Sequence, residues 1–233
     1  MAPEKLQKHI YSTYIILRYG MAGIGFLYPI LMVAGGYLFY DIGLQTSLSA
    51  SYWALGPGGA EAGNMRDWFV GFLFAVGVFL FLYKGYSAWE DRILNLAGVC
   101  ALGIAVVPMP WPAPIQYTLD DFLNLHGAFT VTFFLSIAFV AVFCAGNTLH
   151  LVEDERLRSY FRVSYLVIGI ATLLTPITAA FLNYVLSPEQ RHIVILVETV
   201  GIYNFSAFWI VKSIEINLTS IKEPILRLLA EDF

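Results

Sequence analysis

The sequence predicts an all-α membrane protein, a polytopic chain with six transmembrane helices in a single bundle and both termini cytoplasmic. Of its 233 residues, 58% are hydrophobic and 13% are charged, against about 25% charged in soluble domains. The charges are concentrated in short segments between long apolar runs, and about 20 apolar residues in a helix cross the hydrocarbon core of a bilayer. Basic residues are scattered rather than clustered, which argues against nucleic-acid binding.

The apolar runs define the individual elements of this bundle. The six spans are placed at about residues 19–40, 67–84, 93–107, 122–146, 163–185 and 192–211. Pro29 and Pro176 lie inside the first and fifth spans, where proline bends a helix, and the proline-rich segment 108–114 ends the third. The chain is thus one domain of 233 residues.

Three segments outside the spans have their own patterns. Residues 1–17 are loosely amphipathic and are predicted to form a short helix on the membrane surface before the chain turns inward near Arg18. Residues 41–65 are polar, nearly uncharged and too long for a tight turn, so we expect an outer cap loop that folds back over the bundle. Residues 212–233 are predicted as an amphipathic cytoplasmic tail.

The distribution of basic residues predicts the orientation. With six spans both termini lie on one side, and only Arg66 and Arg191 of the 13 basic residues fall on the opposite face. Cytoplasmic segments of membrane proteins carry an excess of Lys and Arg. We therefore expect a plasma or inner membrane protein with both termini in the cytoplasm.

Several polar residues reach a similar depth near the outer face. Arg66 and Asp67 begin the second span, His126 lies one turn into the fourth, and Ser49 belongs to the loop above. Glu198 lies six residues into the sixth span, about 9 Å deep at 1.5 Å per residue. An intramembrane carboxylate needs a partner or a proton, and His126 and Arg66 are the candidate partners by depth.

These residues predict a polar outer-leaflet pocket that binds a lipid or lipid headgroup, with Arg66, Asp67, His126, Glu198 and Ser49 as ligand-binding residues. An alternative is an intramembrane lipid-modifying hydrolase in which His126 or Glu198 is the catalytic base and a serine of the outer loop is the nucleophile. A third is a structural membrane subunit in which Glu198 and His126 hydrogen-bond each other and hold two helices in register.

The hydrolase alternative includes a zinc site. Catalytic zinc takes three protein ligands plus water, and the candidates are His126, His192 and Asp67, with Glu198 as a further carboxylate. No pair of these residues shares a helix face, because His192 and Glu198, six residues apart, point about 120° from each other. The expectation is therefore that the protein has no cofactor.

Four short motifs carry a resemblance to a known family. They are SLSAS (Ser47–Ser51), RDWF (Arg66–Phe69), HGAFTVTFF (His126–Phe134) and ETVGIYNFSAFWIVKSIE (Glu198–Glu215). Their order resembles the DRAM/FRAG-type six-helix membrane proteins and related bacterial membrane proteins of unassigned function. The resemblance implies a lipid-linked role, because some members act in lipid-anchor remodelling and others in autophagy or lipid signalling. It also implies that His126 and Glu198 are the family's polar residues in helices four and six.

A weaker similarity is to the seven-helix zinc hydrolases that cleave lipid amides, the ceramidase-like superfamily. Those proteins use a serine, an aspartate and three histidines, including a paired HxxxH in the last helix. This chain has no such pair and one predicted helix fewer.

Overall fold

The computed structural model describes residues 3–118, 121 and 124–219, together with the side chains of these residues apart from 3–8 and 60–63. Most of the described chain is helical, as predicted. The α-helices are α1 (Pro3–Ile30), α2 (Gly36–Tyr40), α3 (Arg66–Leu82), α4 (Ala88–Val106), α5 (Leu125–Phe139), α6 (Glu155–Val185) and α7 (His192–Asn217).

The first helical segment is longer than predicted. α1 runs through Arg18 without interruption, so the predicted turn near that residue is wrong. Arg18 remains in the helix because its guanidinium is buried and hydrogen-bonded within the protein. A π-helical turn, Leu31–Gly35, follows directly after Pro29 and joins α1 to α2. The π turn is a local change of helical register.

The last helix also extends beyond its predicted end. α7 continues to Asn217, so the prediction that a cytoplasmic tail begins at residue 212 is wrong for its first six residues. Lys212 and Glu215 are each only 1% exposed. Both charges are tolerated inside the protein because they pair with each other and with neighbouring hydroxyl groups. The rest of the predicted tail, residues 220–233, lies outside the described residues.

Four helical segments of the described chain are long and apolar enough to cross a membrane. They are His9–Tyr40, Leu125–Leu151, Glu155–Val185 and Pro188–Asn217. Large apolar side chains cover their outer surfaces, as shown by Leu38 at 72%, Phe181 at 62% and Leu196 at 59% exposure. Exposed apolar surface of this extent suits contact with lipid. The chain is thus a helical membrane protein. α3 has only 17 residues and α4 begins with three charged side chains, and neither is among the four segments.

The helices close a ring in chain order. α1 packs against α3 and α7, α3 against α4, α4 against α5, α5 against α6, and α6 against α7. Gly201 of α7 packs directly against Thr175 of α6 and Phe134 of α5, where any side chain would collide. Aromatic side chains fill the interior, including the fully buried Phe208 and Trp209.

Residues 41–65 form a compact loop at one end of the ring. The loop contains a 3-10 helical turn, Ser49–Trp53, and a hairpin in which β1 (Leu55–Gly56) pairs antiparallel with β2 (Gly59–Asn64). The Trp53 indole N–H donates to the carbonyl of Met109, in the segment after α4, at 2.9 Å. We call 41–65 the cap loop, and the end of the ring that it covers the cap end.

Candidate functional site

A serine and a histidine meet at the cap end. His126 is the second residue of α5, whose N-terminus is capped by Asn124 through a 2.9 Å hydrogen bond from the Gly127 N–H. Its Nδ1 lies 2.6 Å from the carbonyl oxygen of Val107, and its Nε2 lies 3.1 Å from the Ser49 hydroxyl. A carbonyl oxygen only accepts, so Nδ1 carries the proton. In the neutral ring Nε2 is then the acceptor for the Ser49 O–H.

Glu198 is hydrogen-bonded to the residue before this serine. Its Oε2 accepts the backbone N–H of Leu48 at 2.6 Å. In the described chain the donor to this carboxylate is therefore the cap loop, rather than His126 or Arg66, the two partners predicted from depth. Glu198 ties the cap loop to α7 beside Ser49.

A cavity of about 160 Å³ with a mixed lining lies between the cap loop and the helix ends. We call it the polar cavity because it has more polar lining residues than the neighbouring cavity. Its polar lining residues are Thr46, Ser47, Ser49, Tyr117, Asp121, Asn124, His126, Thr130, Thr175, Asn183 and Glu198. Hydrogen bonds from the backbone N–H and hydroxyl of Thr118, both 2.7 Å long, hold the pKa of Asp121 below its usual value. The described lining contains acidic side chains but no lysine or arginine.

A smaller, mainly apolar cavity of about 70 Å³ adjoins the polar one. Its lining includes many aromatic and aliphatic side chains: Tyr28, Leu48, Phe69, Phe72, Leu73, Val76, Ile104, Phe133, Ile202 and Phe205. Four residues line both cavities, namely Ser49, Thr130, Phe134 and Glu198. The two cavities are therefore neighbours on either side of Ser49, and most of the polar side chains line the larger one.

Three other residues considered from the sequence lie away from this space. The Arg66 guanidinium stacks over the Tyr52 ring, 4.8 Å from its centroid, and Asp67 is exposed. His192 is exposed, and its Nδ1 lies 2.9 Å from the Glu189 carbonyl. Among the described residues no group of three or more His, Cys, Asp or Glu side chains is placed to hold a metal ion. His192 and Asp67, the other two zinc candidates, are therefore not brought together with His126.

A second polar cluster lies at the opposite end of the ring. The Lys212 ammonium donates to the Ala145 carbonyl at 2.9 Å, to the Thr148 hydroxyl at 2.6 Å and to the Glu215 carboxylate at 3.3 Å. The Arg18 guanidinium donates to the Lys212 carbonyl at 2.6 Å. We call these residues the Lys212 cluster. This cluster is not predicted from the sequence, although no proline separates Lys212 and Glu215 from the apolar span that precedes them.

Comparison with protein-family models, with curated proteins and with solved structures finds no match for this chain. The chemistry of its two polar clusters is therefore the basis for assigning a function.

Proposed function

We propose that this protein binds a membrane lipid at the cap end, with the polar part of the lipid in the polar cavity and the start of an acyl chain in the apolar cavity. The observation that carries the proposal is the junction of the two cavities, where Ser49 and Glu198 line both. Ligand sites with an apolar lining and a few placed polar groups are typical of small-molecule binding. The remainder of the lipid would extend from this space into the bilayer.

The electrostatics of the lining select among headgroups. Glu198 and Asp121 line the cavity, and Arg66 lies outside it. The Arg191 guanidinium donates to the carbonyls of Pro114 and Ile115, and the neutral imidazole of His126 accepts the Ser49 hydrogen at Nε2. An acidic lining favours a headgroup with hydroxyl or ammonium donors over an anionic one. We therefore propose that the bound lipid is neutral or zwitterionic rather than anionic.

We also propose that α3 and α4 complete a six-span bundle with both termini in the cytoplasm. Both helices are members of the closed ring. The exposed basic residues at the end opposite the cap loop, Lys84, Arg92, Arg156 and Arg162, support the orientation through the positive-inside bias. The cap end and its cavity then face the outer leaflet. The resemblance to DRAM/FRAG-type proteins agrees with a lipid-linked role and remains a prediction.

The test is native mass spectrometry of the full chain taken from nanodiscs with equal amounts of phosphatidylcholine, phosphatidylethanolamine and phosphatidylglycerol. We expect retained lipid enriched in the two zwitterionic species. Ala180 lines the polar cavity, so Ala180→Phe should reduce retention. Ile177, 58% exposed on the same helix, provides the matched control Ile177→Phe, which should leave retention unchanged. Absence of retained lipid, enrichment of phosphatidylglycerol, or equal retention by both variants would contradict the proposal.

A further inference from the structure

We propose that Ser49 and His126 form a nucleophile–base pair that cleaves a carboxylic ester of the lipid bound at the cap end. The inference rests on the proposed lipid site and names its chemistry. An activated serine needs a base within hydrogen-bond reach and a third group that orients the base. Here Ser49 Oγ lies 3.1 Å from His126 Nε2, and the Val107 carbonyl lies 2.6 Å from Nδ1.

The orientation of the imidazole suits it to accept a proton. The Val107 carbonyl holds the ring in the tautomer whose free lone pair, on Nε2, faces the serine. In serine hydrolases a carboxylate performs this orienting task; here a backbone carbonyl occupies its place. Val107 directly follows α4 and His126 lies in the first turn of α5. The base is thus held between the ends of two packed helices.

The hydrogen bond of Ser49 differs from those of other buried hydroxyl groups in this protein. Ser206 donates to the Ala22 carbonyl, Ser213 to the Trp209 carbonyl and Thr172 to the Ile168 carbonyl. In each case the hydroxyl donates its hydrogen to a main-chain carbonyl, as is common within membrane helices. Ser49 instead faces a titratable base in the 3-10 turn of the cap loop, and its side chain lines both cavities.

The location of Ser49 determines which bond of a lipid it would meet. The ester that joins an acyl chain to its alcohol separates the apolar part of a lipid from the polar part. With the acyl chain in the apolar cavity and the headgroup in the polar one, this ester lies at the junction beside Ser49. The substrate class is therefore an acyl ester of a neutral or zwitterionic lipid.

The reaction balances with water as the co-reactant. Ser49 Oγ attacks the acyl carbonyl carbon while its proton passes to His126 Nε2. The bond from the acyl carbon to the alcohol oxygen breaks, and the proton on Nε2 passes to that oxygen, so the alcohol leaves and the acyl group remains on Ser49. Water then attacks the acyl carbon, loses its proton to His126, and releases a fatty acid as Ser49 recovers its hydrogen.

Glu198 acts as a positioning residue in this scheme. Its carboxylate holds the N–H of Leu48, the residue immediately before Ser49. This hydrogen bond attaches the backbone next to the nucleophile to α7. The base, His126, belongs to α5. A displacement of about 1 Å between such groups is enough to cost a large factor in rate.

The experiment is covalent labelling of the purified full chain in nanodiscs with an alkyl fluorophosphonate, which reacts with activated serines. Intact mass reports the stoichiometry, peptide mapping reports the site, and native mass spectrometry reports lipid retention separately. The variants are Ser49→Ala, His126→Asn, which keeps an amide donor toward Val107 but has no base, and Ser51→Ala as the matched control. Ser51 lies two residues away in the same 3-10 turn and is absent from the described lining of both cavities.

We expect one label per chain at Ser49, with none in Ser49→Ala, full labelling in Ser51→Ala and labelling at least about 100-fold slower in His126→Asn, the typical loss for a removed general base. Ser51→Ala should retain lipid at the wild-type level, because Ser51 is absent from the described lining of both cavities. A cooperative thermal unfolding transition in all three variants shows that they fold. Release of fatty acid from phosphatidylethanolamine nanodiscs should follow the same order.

Two outcomes would overturn the inference. The first is a wild type that is not labelled but still retains lipid. This result would support the lipid site and contradict the cleavage of an ester by Ser49. The second is labelling that persists in Ser49→Ala or proceeds at an unchanged rate in His126→Asn. A wild type that is labelled at Ser49 but retains no lipid would support the nucleophile and contradict the lipid site, so the two proposals fail separately.

Discussion

The two ends of the helix ring treat buried polar groups in opposite ways. Glu198 and Lys212 lie on the same helix, 14 residues or about 21 Å apart. At the cap end Ser49, His126 and Glu198 are half-buried or buried, and all three line a cavity. At the other end the Lys212 ammonium donates to three acceptors inside the protein. The acceptors of Lys212 are protein atoms, although Arg18, Thr148 and Glu215 also line a cavity of about 400 Å³ at this end. At the cap end the Ser49 hydroxyl instead faces the His126 imidazole beside two cavities.

The Lys212 cluster illustrates what a closed arrangement requires. The Glu215 carboxylate accepts from the Thr148 and Tyr165 hydroxyls as well as from Lys212. Lysine and glutamate are rarely fully buried unless they are paired, and each of these has several partners. A buried group whose partners are all protein atoms is explained by packing and register. A cavity lies beside each cluster, and the cap end is favoured as the functional site because a hydroxyl and an imidazole meet there.

The largest loss of stability should come from breaking the buried ion pair of Lys212 with Glu215. Lys212→Met removes the ammonium but keeps the side-chain length, so the Glu215 carboxylate remains buried without its counter-charge. Breaking a buried ion pair in this way costs about 3–5 kcal/mol. We expect a loss of that size in the free energy of unfolding, measured by denaturant titration in mixed micelles.

The matched control is the ion pair of Lys84 with Asp91, in which Lys84 is 79% exposed. Lys84→Met should change the free energy of unfolding by less than about 1 kcal/mol, because exposed ion pairs contribute little. Equal losses from Lys212→Met and Lys84→Met would show that the buried ion pair stabilises the fold no more than the exposed one.

A smaller effect is expected when the bond between Glu198 and the cap loop is removed. Glu198→Ala deletes the acceptor of the Leu48 N–H, and hydrogen bonds to charged groups contribute about 1.5–3 kcal/mol. Glu198→Gln retains an acceptor oxygen and should recover most of this stability. Thermal unfolding compares the two variants, and fluorophosphonate labelling of Ser49 should fall in the alanine variant more than in the glutamine variant. Identical behaviour of both variants would exclude a positioning role.

Arg66 provides a test of the cavity boundary. Its guanidinium stacks on Tyr52 outside the cavity, and an exposed cation–π contact is worth about 0.5–1 kcal/mol. We expect Arg66→Ala to lower the free energy of unfolding by this amount and to leave lipid retention unchanged in native mass spectrometry. Loss of retained lipid in this variant would show that Arg66 contributes to lipid binding.

The smallest effect is a dependence on pH at Asp91. The hydrogen bond from Lys84, 2.6 Å long, holds the pKa of this carboxyl below its usual value of 3.8. Because the folded-state pKa is depressed, the contribution is fully present above pH 3.8 and is lost as the pH falls through the folded-state value. The difference in thermal midpoint between wild type and Asp91→Asn should therefore be constant from pH 7 to about pH 5 and shrink below pH 3.8. A difference that grows on acidification would contradict this sign.

The sequence and the structure agree best where the physics is local. Long apolar runs predict helices that suit a bilayer, because the composition of each run determines the solvent in which it is stable. The cost of an ionisable group in such a run was also enough to single out His126 and Glu198. The ends of α1 and α7 were predicted wrongly because Arg18 and Lys212 were treated as charges that must face water. Both are buried with partners that lie far along the chain.

The sequence by itself determined the helical membrane class and the positions of its rare polar residues along the apolar runs, because both follow from the local order of residues. Only the tertiary structure decided which of those residues meet. Ser49 and His126 are 77 residues apart, Leu48 and Glu198 are 150 apart, and Arg66 turns outward onto Tyr52. The reason is that pairing depends on the rotation of each helix and on the path of the cap loop, which are properties of the packed ring rather than of any single segment.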